Sequence, residues 1–203
     1  MPHGTRAGER IAAPAATGLR GRLKIATAEA HARLDARLGA LDLQRRPDYR
    51  RFLEASAAAL LPLEDALIAA GVARIFPDWP LRQRCGAIIE DVARLGGIAG
   101  PLCWIAPPGF SGVLGMMYVL EGSRLGAKVL LSHVAQSPDP IVARTTAYLS
   151  HGAGLSLWPS FRTTLEANAT LADEAQAIDG ALQAFSLFDE AFELVCRTGL
   201  AGA

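Results

Sequence analysis

Leu23, Ala26, Ala30, Leu34 and Leu38 recur at spacings of three and four, the period of one helix face. The pattern opens at Leu19 and stops at Gly39, predicting a first helix over those residues. A second helix starts near Pro47 or Asp48, since proline suits a first turn, and runs to Gly71 with a kink expected at Pro62. "PDWP" (Pro77–Pro80) reads as a loop, residues 81–95 as a third helix ended by two glycines, and "IAPPG" as another loop. A long apolar helix is predicted over 110–136, broken by "SPDP". A short helix over 139–149 and another around 154–169 follow. The last helix, 171–197, carries Leu171, Ala175, Ile178, Leu182, Phe185, Phe188, Phe192 and Val195 on one stripe. No alternating run bounded by hairpin turns appears, and no repeat. The expected fold is all-α, a single-domain helical bundle. Residues 1–18 read as a flexible arm, 19–198 as the domain and 199–203 as a tail.

Composition supports a packed domain: 203 residues, 51% hydrophobic. Twenty basic and twenty acidic residues cancel, which argues against a nucleic-acid binder. The balance is local, however. Residues 1–24 carry five Lys/Arg and one Glu, whereas residues 164–203 carry seven Asp/Glu and one Arg. The acidic end reads as the solvated face of a helix. Three cysteines without a CxxC pair give no disulfide framework, so a reducing cytoplasm is expected. The first 21 residues lack the apolar stretch of a secretory signal, and Val113–Leu120 falls far short of the ~20 residues of a membrane span.

Two segments carry candidate chemistry. In "MMYVLEGSRLGAKVLLSHV", Gly122 and Gly126 stand four apart inside a helix. Each interior glycine costs ~1 kcal/mol against alanine. Two on one face, beside Ser123 and Ala127, leave a groove of bare backbone. That groove serves either close helix packing or the approach of a flat cofactor. In "TAEAHARLD", Asp35 follows His31 by one turn. Such a pair is either a surface ion pair or a ligand with its second nitrogen held: the carboxylate takes the Nδ1 proton and frees Nε2 to bind a metal. There is no Glu-x-x-His pair for a di-iron site and no zinc spacing. The glycines lack the strand–turn–helix order of a nucleotide site.

Together the two segments resemble the heme oxygenase family. "LKIATAEAHARLD" (Leu23–Asp35) is similar to that family's first helix, "PDYRRFL…PLEDAL" (Pro47–Leu67) to its second, and "YVLEGSRLGAKVL" (Tyr118–Leu130) to its distal helix. The resemblance spans about residues 20–195 and is nearest to small soluble bacterial members, including those that supply biliverdin to bacteriophytochromes. It implies heme b as both substrate and cofactor, with His31 as the proximal iron ligand, Asp35 on its other nitrogen, and Gly122 and Gly126 over the distal side. It also implies Lys24 and Tyr118 near the propionates, with Arg162 a further candidate there. Ser123 stands where mammalian members have an aspartate that organises distal water, and Lys128 brings a charge to a usually smaller, more apolar position.

The implied activity is oxidative cleavage of heme to biliverdin, CO and ferrous iron, using O₂ and electrons from a ferredoxin or reductase. The implied protein is cytoplasmic, binds neither nucleic acid nor membrane, and is a monomer or at most a weak dimer. Two alternatives stay open: a member of the same fold that senses or carries heme without degrading it, and a helical scaffold whose glycines only pack.

Overall fold

The computed structural model describes residues 18–199. The expected arm, up to residue 17, and residues 200–203 lie outside the described residues. The elements are α1 (Gly18–Ala26), α2 (Ala28–Gly39), α3 (Arg46–Ala69), a 3₁₀ turn (Val72–Arg74), α4 (Trp79–Arg82), α5 (Cys85–Arg94), α6 (Phe110–Val134), α7 (Pro140–Arg144), α8 (Ala147–Ser150), α9 (Leu157–Ala167) and α10 (Glu174–Gly199). No strand occurs among the described residues, as the sequence pattern predicts.

α10 is the hub, packing against α6, α3, α2 and α1. Its closest approach is to α6, and small residues make it possible. A methyl added at Gly115 would drive into the Ala177 carbonyl, and one at Gly180 would lie 2.6 Å from the Gly112 carbonyl oxygen. Around this crossing, Leu53, Leu60 and Leu63 of α3, Leu114 and Met117 of α6, and Phe188 and Phe192 of α10 are buried in one core. Tyr49 is fully enclosed, and its hydroxyl donates to the Thr145 carbonyl at 2.6 Å, so the burial leaves no polar atom stranded there. α3 runs through Pro62 without interruption.

Four helices depart from the sequence pattern. The first divides at Thr27, a buried residue whose hydroxyl donates to Leu23 O at 2.8 Å. The backbone bonds Thr27 N→Leu23 O and His31 N→Thr27 O persist, so α1 and α2 keep one register across the break. The third begins at Trp79, inside the expected Pro77–Pro80 loop, with Pro80 in its first turn, and divides because Gln83 is extended. Glu64, buried on α3, then accepts from Arg84 N (2.8 Å) and Cys85 N (3.2 Å) and starts α5. The helix expected over 139–149 splits likewise: Asp91 of α5 accepts from Ala147 N and Tyr148 N and starts α8. In both cases a carboxylate from a distant element caps the new helix, which a local pattern cannot reveal. The last helix begins at Glu174, after Leu171, which is exposed. Leu182 also faces outward; Ala177, Ala181, Ala184 and Ala191 are buried beside Phe188.

Candidate functional site

α2 and α6 both rest on α10 but scarcely touch each other. Their alignment follows from contacts at either end. At one end α1, which leads into α2 through Thr27, packs against both α6 and α10. At the other, Gln44, just past α2, donates to His133 O (3.3 Å) and accepts at its carbonyl from the Ser137 hydroxyl (2.6 Å). The two helices therefore run in the same direction, side by side on α10. His31 lies one turn beyond Thr27 on α2, and Gly122 one turn beyond Tyr118 on α6.

On the α2 wall, His31 Nδ1 is 2.8 Å from Asp35 Oδ2. Its ring meets Phe185 of α10 edge-on, centroids 5.9 Å apart. The His31 side chain is 63% exposed, so its ring is open to an incoming partner. On the α6 wall, a Cβ at Gly126 would meet nothing within 4 Å, and one at Gly122 only the Trp158 ring at 3.9 Å. These glycines are thus not the close-packed ones; that role belongs to Gly112, Gly115 and Gly180. Leu125 and Val129 leave apolar surface exposed along the same helix.

The remaining candidates divide. Lys24 is exposed two turns before His31 in continuous register, and no ion pair holds it among the described residues. Tyr118 is half-buried on α6, its ring centroid 6.4 Å from that of Trp158. Burial pushes its pKa up, with the Thr27 hydrogen bond and Arg20 opposing. Arg162 is exposed on α9, which packs on α1, at the Lys24 end of the molecule. Ser123 lies about 100° round the helix from Gly122. Its hydroxyl donates to Leu120 O (2.8 Å) and accepts from Arg84 Nη2 (3.1 Å). Lys128 is exposed, beside Val129, Ser132 and Gln136 in an open surface hollow.

This architecture has a solved counterpart. The chain is similar to the heme oxygenase from Neisseria meningitidis, solved in NO- and CO-bound crystal structures, with a TM-score of 0.68 and 23% sequence identity over 89% of this chain and 92% of that one. The likeness shows that the fold is the all-helical heme oxygenase fold. No family model matches the sequence, and no curated protein does.

Behind the α6 wall lies a charge cluster that the sequence reading missed. Arg82 and Glu121 have side chains only 1% exposed, with Arg82 Nη1 2.8 Å from Glu121 Oε2. That nitrogen donates instead to Leu157 O, leaving Oε2 close to charge but without an aligned hydrogen bond. Arg82 also clasps Asp78 through Nε and Nη2, each at 2.7 Å. Glu121 Oε1 accepts from Arg124 Nε at 3.1 Å. Arg84 lies over the Tyr148 ring, 5.2 Å from its centroid, and donates to Leu120 O as well as Ser123. The segment carrying Gly122 is thus held from behind by arginines of the α4–α5 turn. The available signal was Glu121 and Arg124, an acid and a base three apart in an apolar helix beside the glycines.

Proposed function

We propose that this chain binds heme in the slot between α2 and α6 and cleaves it oxidatively to biliverdin, CO and ferrous iron, as a heme oxygenase. One combination carries the reading: an exposed histidine braced through Nδ1 on α2, and two glycines on α6 whose missing side chains open onto free space, on helices that both pack against α10. A porphyrin is flat, apolar over its faces and anionic at one edge, and the residues present fit it. Asp35 fixes the His31 tautomer and leaves Nε2 as the iron ligand. Gly122 and Gly126 admit the macrocycle against bare backbone. Phe185 gives the imidazole a rigid backing. Lys24, Tyr118 and Arg162 take the propionates by charge-assisted and hydroxyl hydrogen bonds. When bound, heme supplies both the iron that activates O₂ and the carbon framework that is oxidised. The protein supplies ligation, orientation and a close apolar wall that limits water. Electrons come from an external ferredoxin or reductase.

A second reading, heme carriage without cleavage, draws on Ser123. Its proton is committed to Leu120 O and it already accepts from Arg84, so little of its hydrogen-bonding capacity is left for distal water. One experiment separates the readings. Purified protein titrated with hemin gives the Soret band of a histidine-ligated heme, and ascorbate or a ferredoxin–reductase pair under air converts it to a biliverdin spectrum. A stable Soret band under reductant leaves carriage; no Soret band removes both.

A further inference from the structure

On the far side of α3, Pro62, Ala66 and Ala69 face the loop of Pro101, Ile105 and Pro107 across a cavity of about 370 Å³. Trp104 stands on the rim of this apolar groove and is 81% exposed, unusual for so large an apolar side chain. Asp65 is the groove's one charged lining residue; it is exposed and has no ion pair among the described residues. Ile68 on α3 and Ile98 on the same loop add further exposed apolar surface.

The patch complements itself. It presents one large knob beside one hole of suitable chemistry; the knob carries one donor, the indole N–H, and the hole one charged acceptor, Asp65. A two-fold axis brings the same patch of two molecules together, each supplying both parts. We propose that this face is the contact of a symmetric dimer in which Trp104 of each copy enters the groove of the other, its indole N–H donating to the partner's Asp65. Two buried indoles supply roughly 400 Å². Ile68 and the proline walls bring the total toward the lower limit of about 1,000 Å² for a specific interface. A contact of that size is reversible. It is independent of heme.

Sedimentation velocity on the full chain without heme, from about 1 µM to about 200 µM, tests this. A monomer–dimer equilibrium is expected, with tryptophan emission shifting to the blue as dimer forms. Trp104→Ala, whose exposed side chain is not needed for folding, is expected to be monomeric throughout with an unchanged far-UV spectrum. Asp65→Leu is expected to weaken the dimer at least tenfold, and Asp65→Asn, which keeps an acceptor oxygen, less. A wild-type monomer at every concentration overturns the proposal, as does a dimer indifferent to Trp104→Ala. A monomer whose Trp104 becomes accessible to quencher only after deletion of residues 1–17 also overturns it, giving the groove to that segment.

Discussion

His31 Nδ1 and Asp35 Oδ2 stand 2.8 Å apart, one helical turn along α2, with both side chains largely in solvent. An exposed pair of this kind contributes little to stability. Its geometry matters instead for which imidazole nitrogen is free. Asp35→Ala is expected to leave the thermal midpoint nearly unchanged and to weaken hemin binding about 10- to 100-fold, the usual effect of removing a ligand's hydrogen-bond partner. His31→Ala is expected to abolish the Soret band of the histidine-ligated heme. Parallel melts and hemin titrations check both; an unchanged Soret band in His31→Ala refutes the ligand assignment.

The two classes of glycine on α6 predict opposite outcomes. Gly126 faces open space, so Gly126→Ala is expected to raise stability by up to about 1 kcal/mol through better helix propensity. Gly126→Leu is expected to fold as well and to lose hemin binding, because its side chain fills the slot. Gly115 abuts the α10 backbone, so Gly115→Ala is expected to cost at least the 1–3 kcal/mol typical of overpacking. Urea unfolding of the three variants separates them. If Gly126→Leu binds hemin like the parent chain, the slot is not where heme goes.

That contrast also marks how far the sequence could be read. Helical spacing revealed every long helix, because α3, α6 and α10 each bury a wide apolar stripe. The His31–Asp35 pair was visible for the same reason: four residues in a helix is one turn. The direction each glycine faces was not visible. Gly112, Gly115, Gly122 and Gly126 occupy one apolar run, and only the position of α10 separates packing glycines from open ones. The breaks at Gln83 and Thr145 were hidden because Glu64 and Asp91, the carboxylates that organise them, come from other helices. Arg84 was unreadable likewise: its contact with Ser123 joins residues 39 apart in the chain.

The buried ion cluster sets the largest expected loss of stability. Arg82 is enclosed, with Asp78, Glu121, Leu157 O and Ser160 around its guanidinium. Arg82→Met keeps most of the stem but leaves Glu121 inside with Arg124 as its remaining cation. The expected cost is about 3–5 kcal/mol, the penalty for stranding a buried charge. Replacing Glu121 by Leu in the same chain is expected to recover part of it. Urea midpoints of the single and double variants check this, and equal losses in the two would show that the cost lies in packing.

His151 gives the fold a pH dependence near neutrality. Its Nδ1 lies 3.3 Å from Arg124 Nη1, which also donates to the His151 carbonyl at 3.2 Å. Burial, then the Arg124 and Arg84 charges, holds the imidazole pKa below its usual value. A neutral ring accepts at Nδ1 from Arg124; a protonated ring confronts it. Because the folded value lies below the unfolded one, the folded state binds fewer protons. The stability from this site is therefore complete above about pH 6.5 and is lost as pH falls through the folded value. Asp91, whose pKa burial raises, is present in both chains, so the comparison with a His151 variant isolates the histidine. Urea midpoints of the parent chain are expected to fall between about pH 7.5 and pH 5. His151→Gln keeps an acceptor for Arg124 and is expected to show little change over the same range. Arg124 is two residues beyond Gly122, so the same titration is expected to speed hemin release more in the parent chain than in the variant, since His31 is common to both. Equal pH slopes in the two chains would place the titrating group elsewhere.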